Sequence, residues 1–325
     1  MKIALHILLI TLLSYTPLLA QQLSDFNLYK DNWMLLNPAS FSENYLFNGS
    51  THSLGLSGRY QWIGLEEPPT TIGLQYQAVL EAQNIAIGGS LVNDQTGAIG
   101  TTGLYTTFSY LMPLQKYRNK VTQFLSFGLT AGMVQYRVNF SEITFNEPGT
   151  TSIPLDNQMQ YYPDFGLGVF YYVDNKFYAG LSMPQLLQLS TQSATRDGSF
   201  SIERQAHYYA MIGGYLALGD KRNPIYLEPS AWLRYVANAP ISADANLRIN
   251  FRNVLWVGGG YSLSHNLHLE MGYIFKNKFA GRDWLKIGFG YTYNANDFGI
   301  ELGNTLELNL TYAWGESKRL FCPFE

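Results

Sequence analysis

Apolar and polar residues alternate along many short segments of this chain. In the segment 54–62, Leu54, Leu56, Tyr60 and Trp62 lie on one side, and glycine, serine, arginine and glutamine occupy the positions between them. The segment 306–314 has the same two-residue period and ends at Trp314. A strand repeats every two residues, so each segment has one apolar and one polar face. Many such segments, several ending in aromatic residues, predict an all-β fold: a transmembrane outer-membrane barrel with lipid outside and a polar lumen.

The pattern predicts about fourteen antiparallel strands within residues 51–314. They are expected near 51–63, 70–80, 84–94, 101–113, 121–139, 160–173, 176–185, 205–219, 225–237, 241–251, 254–264, 267–277, 283–295 and 305–314. An even number of strands leaves both termini in the periplasm, so the first strand runs outward. The connections then divide into short periplasmic turns and outer loops, two of which are long (140–159 and 186–204), as is typical of bacterial barrels.

The regions outside the strands complete the predicted organisation. Residues 1–20 have a charged start at Lys2, an apolar core and a small residue at Ala20, which is typical of a cleaved signal peptide. Residues 21–50 form an N-terminal segment that either stays in the periplasm or enters the lumen as a plug. Residues 315–325 form a tail after the final strand, so either Trp314 serves as an internal insertion signal or the tail folds back on the periplasmic side.

Composition supports export and membrane insertion. Charged residues are 14% of the chain, against about 25% in a typical soluble domain. The net charge of −3 gives no reason to expect a nucleic-acid partner. Cys322 is the single cysteine, so no internal disulfide can form.

Several short motifs, taken in order, resemble the PorP/SprF family of outer-membrane proteins from the type IX secretion and gliding machinery of Bacteroidota. They are Asn37-Pro38-Ala39, Arg59 to Gly64 before Pro68-Pro69-Thr70, Gly88 to Asp94, Gly103-Leu104-Tyr105, Pro163 to Gly168, Phe177 to Pro184, His207-Tyr208, Pro229-Ser230, Arg234-Tyr235 and Ala239-Pro240 with Asp244. The resemblance covers about residues 22–314. It implies one of two roles: assistance in the export or surface attachment of large adhesin-type cargo, which we favour, or a core component of the secretion machinery. The implied partners are other secretion components, among them periplasmic motor and ring proteins.

The matched motifs supply candidate partner-binding residues. On the predicted topology they lie at the outer rim of the barrel: Trp62, Gly64, Asn93, Asp94, Pro163, Asp164, Pro184 and Pro240. A rigid rim could dock exported cargo. The alternative is purely structural, since glycine and proline also set turn and bulge geometry.

A second group of residues is charged and predicted to face the lumen: Arg59, Glu228, Arg234, Asp244, Arg248 and Glu307. Side chains of opposite charge inside a barrel commonly pair, so we expect structural ion pairs among them.

No catalytic constellation is recognisable in the sequence. His265 and His268 flank an outer turn, but no cysteine, aspartate or glutamate other than Glu270 lies at metal-ligand spacing from them. We therefore expect neither enzymatic activity nor a cofactor or metal. The alternative function is an outer-membrane channel for small or hydrophobic solutes, which needs a plug and an apolar path through the lumen.

Overall fold

A closed antiparallel barrel of fourteen strands forms the body of the computed structural model, which confirms the predicted fold class. The structure describes residues 26–117, 120–139, 158–174, 176–187, 190–195, 198–203, 205–218, 224–237, 239–277, 283–295 and 301–318. The predicted signal peptide, most of the predicted loop 140–159 and Cys322 lie outside these residues. Strands adjacent in sequence pair with one another, and pairing of the first strand with the last closes the barrel.

The strands have the following bounds: β1 His52–Tyr60, β2 Thr70–Leu80, β3 Ile85–Thr96, β4 Ile99–Tyr117, β5 Lys120–Val138, β6 Gln158–Val173, β7 Phe177–Gln185, β8 Ser190–Thr195, β9 Gly198–Glu203, β10 His207–Gly214, β11 Leu216–Leu218, β12 Ile225–Val236, β13 Ser242–Phe251, β14 Leu255–Ser262, β15 Asn266–Asn277, β16 Asp283–Asn294 and β17 Thr305–Trp314. β10 and β11 together make one barrel strand, since both pair with β12. β8 and β9 form a separate hairpin, which the sequence analysis did not predict, within the loop after β7.

Two irregularities depart from the predicted strand boundaries. Tyr215 interrupts the strand predicted over 205–219: its nitrogen donates to Lys176 O at 2.9 Å, and its ring packs against Phe47 with centroids 4.7 Å apart. The first strand ends at Tyr60 rather than near residue 63, because Trp62 adopts a left-handed backbone with φ 57°.

The two faces of the wall differ as the alternation predicts. On β1, Leu54 and Leu56 are 40% and 45% exposed, whereas Ser57 and Arg59, which occupy the alternate positions, are 2% and 8% exposed. On a barrel wall, this places the apolar side chains against lipid and the polar ones in the lumen.

The ends of the barrel are distinguished by their connections. The end with tight turns, such as 252–254 between β13 and β14, is the periplasmic end, and the end with the long connections after β5 and β7 is the outer end. Among the described residues, no helix has the length and apolar character needed to cross a membrane.

Residues 26–50, here called the plug, lie inside the lumen. The plug consists of a 3₁₀ turn (Tyr29–Asn32), a helix of one turn (Trp33–Leu36) and a second short helix (Glu43–Asn48). Its aromatic and aliphatic side chains form one buried cluster with inward-facing residues of the wall. The plug begins in the outer half, where Asn27 bonds to Thr292, and leaves at the periplasmic end after Gly49, which terminates the second helix with φ 68°.

Candidate functional site: the plug and its dock in the lumen

A tight turn at Asn37-Pro38-Ala39 lies at the centre of the plug. The Asn37 nitrogen donates to Trp33 O at 2.8 Å and ends the first helix, and the Ala39 nitrogen donates to the Asn37 side-chain oxygen at 2.9 Å. Asparagine favours such a turn because its side chain can bond to the backbone two residues on. The turn is therefore built from local sequence and presents the Asn37 amide group outward.

This turn docks on a strip of wall that has no side chains. Asn37 Nδ2 donates to Val169 O at 3.1 Å and to Leu181 O at 3.4 Å, which lie on the adjacent strands β6 and β7. A Cβ atom added to Gly168 would lie 2.0 Å from Asn37 Oδ1, and one added to Gly128 would lie 2.2 Å from the Ala39 nitrogen. At Gly128 the backbone of the turn approaches the wall, and at Gly168 the Asn37 side chain does, so a side chain at either position would collide with the turn.

Hydroxyl groups and aromatic rings flank this strip. Ser182 Oγ donates to Leu36 O at 2.6 Å, and Ser109 Oγ donates to Pro38 O. The Trp33 ring meets Tyr178 edge-on at 4.9 Å between centroids. Gly168, Tyr178 and Ser182 belong to the motifs that carry the family resemblance, so those motifs build the dock for the plug.

A buried group of charges holds the second helix of the plug. Glu43 Oε1 lies 3.0 Å from Lys30 Nζ and 3.5 Å from Arg248, and Glu43 also pairs with Lys286. Burial alone would raise the pKa of the Glu43 carboxyl, but Lys286, Lys30 and Arg248 outweigh burial and hold that pKa well below its usual range. Glu43 is therefore ionised in the plugged state.

Each of the three cations also has a carboxylate of its own. Lys30 pairs with Glu228, Arg248 pairs with Glu270 at 2.6 Å, and Lys286 Nζ lies 2.6 Å from Asp31. Loss of the Glu43 charge would thus leave no cation unpaired, which limits its cost relative to breaking an isolated buried pair.

The outer part of the plug is held by Glu307. Its carboxylate accepts from the backbone nitrogens of Asn27 and Leu28 at 2.8 and 2.9 Å, and it lies 3.4 Å from Arg59. Tyr29 bonds to Ser230 nearby. Plug and wall thus share hydrogen bonds along the depth of the lumen.

The structure places all the predicted lumen charges in ion pairs. Arg59 lies beside Glu307, and Arg234 pairs with Asp244 at 2.8 Å. Glu228 and Arg248 instead contact Lys30, Glu43 and Glu270, as described above. The sequence analysis missed Lys30, Asp31 and Glu43 of the plug and Glu270 and Lys286 of the wall. The available indication for Glu270 and Lys286 was the alternation along β15 and β16, which places both on the polar face.

Some candidate rim residues do lie at the outer end. Trp62 and Gly64 follow β1, and the Gly64 nitrogen donates to Leu302 O at 3.0 Å, where an added Cβ would come within 2.8 Å of the same oxygen. Asn93 faces outward and donates to Thr102. Asp94 accepts from Thr71. Pro240 lies in the connection between β12 and β13.

The structure places two other candidates in the wall. Pro163 and Asp164 lie within β6, which begins at Gln158, whereas Pro184 is the next-to-last residue of β7. Asp164 is fully buried and accepts from Tyr105 OH at 3.3 Å. Because β6 begins five residues before Pro163, the Pro-Asp pair lies below the mouth, where a docking partner at the rim would not reach the buried Asp164.

The start of the C-terminal tail folds back at the periplasmic end. The Ser317 nitrogen donates to Gly49 O at 2.6 Å, and the Lys318 nitrogen donates to Glu81 at 2.9 Å. Glu81 also accepts from Tyr45 OH at 3.2 Å, so it links the tail, the β2–β3 turn and the plug. Residues 319–325 lie outside the described part of the chain.

The geometry is that of a lumen filled by the plug. Within the residues that the structure describes, no group of three or more histidine, cysteine, aspartate or glutamate side chains could hold a metal ion. The molecule is an outer-membrane β-barrel whose N-terminal segment fills its lumen.

The chain belongs to the family described as type IX secretion system membrane protein PorP/SprF, whose model matches residues 18–312. It is therefore a membrane component of type IX secretion located in the outer membrane. No curated protein matches the chain.

Solved structures with a similar fold are themselves barrels. The CymD monoaromatic hydrocarbon channel has a TM-score of 0.51 and 11% identity, covering 92% of this chain and 95% of CymD. The toluene transporter TodX of P. putida has a TM-score of 0.48 and 10% identity, covering 89% and 95%. Omp33 of Acinetobacter baumannii has a TM-score of 0.43 and 10% identity, covering 82% and 98%. At these identities the likeness to CymD concerns the fold alone.

Proposed function

We propose that this protein is a non-enzymatic barrel that assists the export or surface attachment of large adhesin-type cargo during type IX secretion. The observation that carries the proposal is the family match, which spans nearly the whole barrel together with the plug. A lumen filled by the chain's own N-terminal segment supports a docking role over a conduit role. Gliding motility in a member of the Bacteroidota is the setting in which such cargo is expected.

The outer end is the proposed contact surface for cargo. Trp62 and Pro240 lie in two separate connections at that end, and Asp94 lies near the end of β3 on the same side. Trp62 is the best single candidate, because tryptophan is enriched among residues that dominate binding energy. Pro163 and Asp164 are assigned instead to the wall beside the plug.

The other proposed partners are assigned from the surface of the barrel that each would meet. Outer-membrane lipid covers the apolar face, and periplasmic motor and ring proteins would meet the short turns at the opposite end. Residues 1–20 are proposed to be a signal peptide removed before insertion, leaving Gln21 as the first residue. A channel for small or hydrophobic solutes is the less supported function, since transport would require the plug to move.

Site-specific photocrosslinking during export tests the proposed surface. A photoreactive amino acid is placed at positions 62, 94 and 240 of the outer end, and at the exposed periplasmic positions Lys116 and Lys176 as matched controls. We expect adducts with exported cargo from the outer positions only.

Adducts with cargo from Lys116 and Lys176 alone would contradict the rim as the cargo surface. They would place cargo binding on the periplasmic side. A mature protein that begins before Gln21, determined by N-terminal sequencing from outer-membrane fractions, would contradict the proposed signal peptide.

A further inference from the structure

A cavity of about 80 Å³ lies between the outer face of the plug and the wall. Phe26, Leu35 and Pro38 of the plug form its floor, and Val92 and Pro184 lie on its wall. One buried water needs roughly 10–15 Å³, so the space suits several waters or one apolar group of about the size of an aromatic ring. Pro184 is the penultimate residue of β7 at the outer end, which places the cavity on the outer side of the plug.

Three of the polar side chains around the cavity already have hydrogen-bond partners. The hydroxyl groups of Thr107 and Thr130 bond to each other at 3.1 Å, and the Tyr105 hydroxyl donates to Asp164. Most of the remaining lining residues are apolar, among them Met34, Leu36 and Val92. A water molecule held there needs two to four polar partners, so the lining favours an apolar occupant.

The floor of the cavity is apolar and fixed in place. Trp33 and Leu36 of the plug are buried, whereas Leu35 between them stays partly exposed and lines the cavity. The neighbouring Asn37-Pro38-Ala39 turn is fastened to the wall by the hydrogen bonds described above. A ligand would thus cover apolar surface that the plug already presents, without rearranging it.

We propose that this cavity binds a small apolar molecule of about one aromatic ring, which enters from the outer end of the barrel. Gln185 at its edge can bond to one polar group of such a ligand. This binding site is independent of the docking function proposed for the rim, because its residues face the lumen below the mouth.

Photolabelling of the full-length protein tests the site. The folded protein in detergent is irradiated with a phenyl diazirine, and labelled residues are mapped by mass spectrometry. We expect label on the plug peptide that contains Leu35, and label on the lipid-facing side chains as an internal standard. Excess toluene should reduce the plug label at least tenfold.

Two variants and one control make the assignment specific. Val92→Phe fills the cavity and should reduce the plug label at least tenfold, whereas Leu91→Phe, on the adjacent lipid-facing position, should leave it unchanged. Leu35→Asn changes only the floor of the cavity, so it replaces Val92→Phe as the test variant if Val92→Phe does not fold. The proposal is overturned if only lipid-facing residues are labelled, or if the plug label persists in the folded cavity variants.

Discussion

Gly128→Ala should loosen the plug without altering any plug residue. An alanine Cβ at this position would lie 2.2 Å from the Ala39 nitrogen and 2.2 Å from the Pro38 carbonyl carbon. Both are backbone atoms of a tight turn and cannot rotate away as a flexible side chain would. The turn must therefore move away from the wall.

The cost can be worked out from the contacts that the movement breaks. The displaced turn loses the two bonds from Asn37 Nδ2 to Val169 O and Leu181 O, and the bond from Ser109 to Pro38 O. At a net value of about 0.5–1.5 kcal/mol for each hydrogen bond, the docked plug is destabilised by roughly 1.5–4.5 kcal/mol. Since 1.4 kcal/mol is about a tenfold change in an equilibrium constant, the undocked population should rise between about tenfold and a thousandfold.

Ion conductance across planar bilayers is the primary assay, and limited proteolysis of residues 26–50 in the folded protein is the second. We expect more frequent open events and faster cleavage of the plug than in the parent. Gly58→Ala is the matched control, because a Cβ atom added there meets nothing within 4 Å.

The reasoning is refuted if Gly128→Ala folds, yet conducts no more than the parent and keeps its plug protected. That result would mean that the dock at Asn37-Pro38-Ala39 does not hold the plug. If Gly58→Ala raises the conductance equally, the rise would be due to replacing any wall glycine rather than to displacement of the plug.

Three further predictions concern the wall, the buried charges and the tail. Leu308→Arg, near the middle of the lipid face, should reduce the free energy of unfolding in vesicles by about 2–4 kcal/mol. Tyr312→Arg, nearer the interface on the same face, should reduce it by about 0–1 kcal/mol. Equal losses for the two variants in urea titrations would contradict the assigned depth of these residues in the membrane. Glu43→Gln should destabilise the docked plug by about 1.5–3 kcal/mol, seen as increased conductance, because charged hydrogen bonds are lost but every cation keeps a carboxylate. The folded pKa of Glu43 lies below its ordinary value of 4.5, so its stabilisation is complete above that pH and is lost as the pH falls through the folded pKa. Conductance of the parent should therefore rise on acidification below about pH 4.5, and a Glu43→Gln variant that shows the full acid response would contradict this assignment. Glu81→Ala should expose the tail after Gly315 to proteases while the plug stays protected; cleavage rates equal to those of the parent would show that Glu81 does not hold the tail.

The alternation of apolar and polar residues along the sequence was enough to determine that the protein is a β-barrel with an apolar outer face. Leu308 is 57% exposed and Asn309 fully buried, as their alternation predicts, because each residue along a strand points to the opposite face from its neighbour. Turn residues between the alternating segments were enough to count fourteen strands. Ion pairs such as Arg59 with Glu307 could also be anticipated, since the two positions face each other across the pair β1–β17.

Only the tertiary structure decided what fills the lumen. Asn37-Pro38-Ala39, Gly128 and Gly168 are far apart in sequence, and nothing in any one segment indicates that they meet. The motif residue Asp164 was predicted at the rim, but the wall continues past it and buries it beside Tyr105. The physical reason is that alternation encodes which face of a strand meets lipid. What packs against the inner face depends on complementarity between distant segments. In this protein, glycines of the wall accommodate a tight turn of the plug, and three cations surround Glu43. These contacts exist only once the barrel has closed.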